Sequence, residues 1–523
     1  MHHKSVTVKI VNFISYFALV AGCGVASAYP PDVSKTLDAA GENRAELEKA
    51  LQHYNETGDT LKLKAAYYLI GNMGDHCYAT YALEDTSGNE IAFNALDYPD
   101  YEKLTASFDT LETNHGVLDF ERKDKIMDAE TITADFLINQ IDYAFRAWNE
   151  RPWAKNLSFA DFCAYVLPYR GSNEPLEPWR QIFFDKYAHI ADSMKNPSDP
   201  VEAAAFINDD IKTWFGFDPR YYYHPTDQGL SEMMDVGLGR CEDMMNVTIY
   251  AMRANGLAVT SDYTPYWANS GNNHAWNAIL AADGKVIPFM GAESNPGEYR
   301  LANKLAKVYR KMFADQPDNL IFLDRKQEKV PGWLAGRSYI DVTADYEDVC
   351  EITVALADAP DSVDIAYLCV FNSGEWKPIH WARIKDNTAT FTDMGKDIAY
   401  IPALYLNEEV VPVGEPFILQ TDCNQRPLSA DTSRVRSINL ISTTRRKQEI
   451  STDGVSTSFL DKGQTYELFY MTDTWVSIGK AVAGDGPLVF DSVPSDGLYW
   501  LVADGSDKEE RIFTVEDGKQ VWW

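Results

Sequence analysis

Basic residues are scarce in this chain of 523 residues: 47 lysines and arginines stand against 78 aspartates and glutamates, a formal charge of −31. No long basic run is present to neutralise a phosphate backbone, which excludes nucleic-acid binding as a function class. Acidity of this kind is ordinarily a matter of solubility. Cysteines are also few. Cys77, Cys163, Cys241, Cys350, Cys369 and Cys423 are widely scattered, unlike the dense framework of a small stapled domain. No CxxC pair or His/Cys cluster at zinc spacing occurs, so neither a metal nor an organic cofactor is expected. Beyond the first 28 residues no apolar run nears the ~20 residues of a membrane span, and no short-period repeat is found.

What is there is ordinary globular protein, 45% hydrophobic with 24 prolines and 31 glycines. The length exceeds what one core supports, so two to four domains are expected. Residues 1–28 read as a targeting segment: Lys4 and Lys9 precede an apolar stretch from Ile10 to Gly22. Two ends are open. Ala26-Ser27-Ala28 is a small-x-small cleavage site, whereas Leu19-Val20-Ala21-Gly22-Cys23 resembles a lipobox that would make Cys23 a lipid anchor to a membrane.

Residues 30–199 carry helical signals. Ala45 to His53 and Leu61 to Leu69 flank Gly58, and Ile132, Phe136, Ile138, Ile141, Phe145 and Trp148 form a stripe along Ala129 to Trp148. Ser158 before Asp161 and Pro178 before Trp179 mark two further helix starts. Residues 200–345 are mixed: a helix from Pro200 to Phe215, an irregular Tyr221–Pro225 loop, then strands at Leu257–Tyr263, His274–Ala281 and Lys285–Met290. After Thr343 short alternating strands predict two antiparallel β-sandwiches, at 346–430 and 431–523. Trp381, Tyr470 and Trp500 within them read as core. The fold class is therefore α+β and multidomain.

Gly239-Arg240-Cys241 puts a thiol where a helix begins. Met244, Val247, Ala251 and Met252 recur at helical spacing, Glu242 and Asp243 occupy the first turn, and Gly256 supplies the stop. A helix N-terminus lowers a thiol pKa. Downstream, His274 opens a strand in Asn273-His274-Ala275-Trp276. Thiol and imidazole in this order suit nucleophilic catalysis, with an imidazolium stabilising a thiolate and carrying protons to the leaving group. The Cys241 backbone N–H, with Asn273 or Trp276, would supply oxyanion donors. A two-residue Asp283-Gly284 turn pairs Ala282 with Lys285 and, continued, brings Glu293 opposite His274 as the third member. The alternative to a nucleophile is Cys241 as half of a disulfide.

Gly239-Arg240-Cys241, Ala251 to Gly256 and His274-Ala275-Trp276 together resemble the transglutaminase-like superfamily, a rearranged relative of papain-type cysteine proteases. The resemblance covers 200–345 and implies a papain-like α+β core with Cys241 as nucleophile and His274 as base. The family's aspartate would fall near Met290, where none exists, leaving either Glu293 as its substitute or an inactive site. Leu167 to Arg170, Pro288 to Glu293, Asp341 to Thr343 and Gln520 to Trp523 further resemble exported bacterial multidomain proteins with such a core. The implied function is an exported thiol acyl-transfer enzyme acting on peptide, protein or glycopeptide substrates, at the cell surface or in the periplasm. Peptidase or amidase action is preferred to transamidation. The alternative is a catalytically degenerate surface protein whose sandwiches bind glycan or protein. Oligomeric state is left open.

Overall fold

The computed structural model describes residues 29–327, 329–357, 359–445, 458–506 and 509–523. The targeting segment 1–28, with Cys23, lies outside them.

The N-terminal helices Pro31–Ala39, Arg44–Thr57, Thr60–Asn72 and Ala134–Glu150 bury one apolar core that includes Leu47, Leu69, Leu137 and Ile141. Gly58, left-handed at φ +69°, ends the second helix, and Asp59 caps the third by accepting from the Lys62 N–H. The expected 129–148 helix is two helices, because Thr133 is an extended cap whose side chain accepts from the Phe136 N–H. The helix expected to open at Pro178 starts at Arg180.

A feature absent from the sequence reading interrupts the helical region. Cys77–Asp85 pairs antiparallel with Leu118–Met127, and helix Tyr101–His115 lies between them in the chain. Leu118–Met127 is mostly exposed and Cys77–Asp85 mostly half-buried, with one buried residue in each, so little apolar alternation existed to reveal them. A small aromatic cluster beside them gathers Tyr98, Phe108, Phe120 and Tyr223 around Phe93, and Arg220 donates to the Tyr98 carbonyl at 2.6 Å.

The central core is built on helix Cys241–Ala254, in which every residue from Asp243 onward is buried. A helix apolar on nearly all sides must be enclosed. It packs against residues of the 153–194 segment, among them Trp153, Trp179 and Phe183, and against a five-stranded antiparallel sheet. The sheet order is Val286–Phe289, His274–Leu280, Val259–Thr264, Tyr309–Lys311 and Tyr339–Asp341. Arg180, fully buried, ties the N-terminal layer to this core: it donates to Gln140 Oε1 at 2.7 Å and to the carbonyls of Arg253, Val166, Leu167 and Pro168. The Leu167–Arg170 run belongs to the same weld, since Tyr169 and Arg170 both donate to the buried Asp128.

The C-terminal third is all β. An eight-stranded antiparallel sheet spans Val349 to Pro427, and its strand Ile365–Asn372 is buried on both faces. Ala366, Leu368 and Val370 enter the sandwich interior with Ile352, Phe391 and Leu419, while Tyr367, Cys369 and Phe371 face a core shared with Tyr263, Tyr309 and Trp500. A disulfide joins Cys350 to Cys423. The last unit packs strands Asp431–Leu440 and Leu488–Ser495 against a five-stranded sheet through Ile438, Leu468, Phe490, Leu501 and Phe513. Trp500 is core, with Phe371 at 5.2 Å and Trp475 at 5.5 Å between ring centroids.

Candidate active site

Cys241 is the first residue of its helix, as the sequence indicates, and its thiol is free. The disulfide alternative for this cysteine does not hold. Asp243 fixes the helix start by accepting from the Arg240 N–H and the Gln228 N–H, both at 2.9 Å. Gly239 is required there: a Cβ would lie 2.5 Å from the Asp243 Cβ. At the other end Gly256, at φ +72°, turns the chain out of the helix.

A short parallel pairing of Gly216–Phe217 with Leu238–Gly239 brings the preceding loop alongside Cys241. That loop, expected to be irregular, holds a 3-10 turn at Pro219–Tyr223. From it Tyr222, 57% exposed, brings its phenol to the Cys241 thiol. The Tyr221–Tyr223 run was visible in the sequence, but nothing local showed which ring meets the thiol.

His274 opens the strand next to the helix, paired with Thr264 across the sheet. Its Nε2 lies 2.5 Å from the Tyr299 hydroxyl. Trp267 stacks on the ring with centroids 5.7 Å apart and planes 26° apart. Tyr299 packs with Cys241 against the same core.

Glu293 does not occupy the predicted place. The hairpin closes through Gly284 N–H to the Ala281 carbonyl at 3.0 Å, with Gly284 at φ +83°, and Asn277 pairs with Phe289 rather than Met290. That register is one residue from the expected one, and a one-residue slip sends a side chain to the other face. The ladder also ends at Asn277, whose Oδ1 accepts from the Gly291 N–H at 3.1 Å; a turn follows, closed by Ser294 N–H to the Met290 carbonyl at 2.9 Å. Glu293 sits exposed on that turn, and its charge acts on Cys241 and Tyr299 rather than on His274. The third partner of the imidazole is a phenol, from a loop with no sequence signature.

Trp276 is likewise committed elsewhere. Its indole N–H donates to Tyr346 Oη at 2.9 Å, and that hydroxyl donates to Asp262, itself paired with Arg310. It supplies no oxyanion donor, whereas Asn273 is exposed beside the strand start.

The electrostatics differ from an ion pair. Burial pushes the Cys241 thiol up to about 11, and the carboxylates of Glu242 and Glu293 add to the rise. Burial also holds His274 below its ordinary value, with Glu242 partly opposing it. Tyr299 is raised by burial first and then by Glu293 and Cys241, so it stays a neutral phenol. At neutral pH the pair is thus thiol and neutral imidazole, a correction to the expected thiolate–imidazolium. First-turn acids that suit the helix dipole oppose ionisation of the thiol beside them. Such a site can react by proton transfer concerted with sulfur attack. In the tautomer whose Nε2–H donates to the Tyr299 oxygen, Nδ1 is the ring nitrogen left to receive the proton. Among the described residues no group of three or more His, Cys, Asp or Glu side chains could hold a metal ion.

Residues 188–289 match the family model of the transglutaminase-like superfamily, and the chain contains a transglutaminase-like domain over that span, which includes Cys241 and His274. No curated protein matches the sequence. Among solved structures, red sea bream transglutaminase is similar at 9% identity and a TM-score of 0.21, over 84% of this chain and 76% of that one. A likeness that slight carries no argument.

Proposed function

We propose that this domain is a thiol acyl-transfer centre acting on carboxamide or peptide bonds. Cys241 attacks the carbonyl while His274 Nδ1 takes the thiol proton; the C–N bond breaks as the imidazolium returns that proton to the leaving nitrogen. The thioester so formed passes its acyl group to water or an amine, again with His274 as base. Water is the preferred acceptor, because nothing identifies an amine site. Oxyanion stabilisation falls to the Cys241 backbone N–H and Asn273. The observation that carries the reading is the His274–Tyr299 contact, which orients the ring on a strand packed beside the Cys241 helix. Family membership of the 188–289 span supports the same class of chemistry. Export through residues 1–28, lipid-anchored or secreted, belongs to this proposal and is supported by the Cys350–Cys423 disulfide, a bond favoured in oxidising compartments.

The second reading, a degenerate binding protein, is favoured by one specific fact: among the described residues no carboxylate is hydrogen-bonded to the imidazole. The two are separated with p-nitrophenyl acetate, a reagent that needs no natural substrate. Acyl transfer requires p-nitrophenolate release with an acetyl adduct on Cys241 and its loss in Cys241→Ala. Equal release from wild type and Cys241→Ala leaves the degenerate reading in place.

A further inference from the structure

The loop 265–273, which ends at His274, is anchored from outside the catalytic core. Asn372, the last residue of its strand in the first sandwich and 2% exposed, directs Nδ2 at three of the loop's carbonyls: Trp267 at 3.0 Å, Ser270 at 2.9 Å and Asn272 at 2.9 Å. The neighbouring Ser373 Oγ accepts from the Asn272 N–H at 3.4 Å. Arg511, from the second sandwich and 4% exposed, donates to Ala268 O at 2.8 Å and Ser270 O at 3.3 Å. The rest of its fork goes to Phe371 O at 2.7 Å and Trp523 O at 2.7 and 3.2 Å.

Every acceptor of Arg511 is a backbone carbonyl. Burying a guanidinium whose hydrogen bonds all go to carbonyls is costly, and here burial lowers it to about 10, with the Glu509 carboxylate partly opposing. What that cost secures is specific. The five donors join the two sandwiches to the one loop whose Trp267, 8% exposed, stacks on the imidazole. Lysine could not reproduce the fork.

We infer that Asn372 and Arg511 are positioning residues, through which the two C-terminal sandwiches hold the His274 imidazole in place on the strand beside the Cys241 helix. The inference rests on the acyl-transfer reading for its consequence but not for its geometry. The sandwiches are then structural parts of the site. Loosening the loop withdraws Trp267, admits water to the ring, and leaves the Tyr299 hydroxyl and the Glu242 carboxylate as the titratable groups acting on it.

The test uses the full chain and two readouts. One is the His274 titration midpoint, followed by its Cε1–H resonance and assigned with His274→Ala; the other is acetylation of Cys241. In Asn372→Ser, Arg511→Ala and Arg511→Lys the midpoint is expected to rise toward the ordinary 6.5, with acetylation slowed at least about ten-fold. Leu468→Ala, which weakens the second sandwich's core away from the loop, should lower its stability and leave the midpoint unmoved. Asn372→Ser is the milder change and keeps the test open if Arg511→Ala does not fold. Unchanged midpoints in folded Asn372→Ser and Arg511→Lys, or an equal shift in Leu468→Ala, would overturn the inference. A wild type that is never acetylated, yet whose His274 midpoint moves in these variants, would sink acyl transfer and leave the positioning intact.

Discussion

The two halves of the site are built by different means. The Cys241 half is local: Gly239, the Asp243 carboxylate and Gly256 define the helix within eighteen residues of chain. The His274 half is assembled from afar, with Tyr299 on Nε2, Trp267 on the ring face, and Asn372 and Arg511 behind Trp267. Local construction sets where the helix begins, and so where Cys241 stands on it, from residues close to it in the chain. Remote construction makes the base depend on domains far along the sequence.

Variants on either side can break or sharpen that contrast. Removing the base should have the largest effect: His274→Ala is expected to slow Cys241 acetylation by about 100-fold or more, read as initial p-nitrophenolate release. Gly239→Ala strikes the local half. Its Cβ would be 2.8 Å from Asp243 Oδ2 as well as against the Asp243 Cβ, and about 1–3 kcal/mol of stability should be lost in denaturant melts. The His274 midpoint should not follow. Tyr299→Phe keeps the ring and removes one neutral hydrogen bond, so acetylation should fall about five-fold. The smallest effect belongs to Glu242, which touches both halves. Its carboxylate disfavours the thiolate and favours the imidazolium. In Glu242→Gln both midpoints should therefore move down, the thiol's from about 11 in pH-dependent alkylation and the imidazole's in its titration. Opposite movements would contradict the electrostatic account.

The same contrast explains what was legible in the sequence. The Cys241 helix, its cap region and its stop follow from side chains within one or two turns, and those are what periodicity and terminus signals report. His274 was legible because it begins an apolar strand. Tyr299 was not, since an aromatic in an irregular loop carries no periodic mark and reaches the ring only through tertiary packing. The Glu293 placement failed over one residue of loop length: Gly284 in the left-handed region makes the turn longer than a two-residue connection, and the side-chain alternation inverts. The 77–127 hairpin was invisible because strands with a single buried residue each need no apolar alternation. The sandwich strands, with one or both faces buried, did show it.

One feature of the nucleophile has a consequence outside catalysis. The chain carries a formed Cys350–Cys423 bond and a half-buried free thiol at Cys241. Conditions that oxidise the first pair also expose the second to disulfides and peroxides, which are attacked by thiolates and hardly at all by thiols. With its proton retained up to about 11, Cys241 is nearly inert to such reagents at neutral pH. Burial, aided by the carboxylates of Glu242 and Glu293, thereby shelters it from sulfenic acid and mixed-disulfide formation, keeping the sulfur in the one oxidation state that acyl transfer can use.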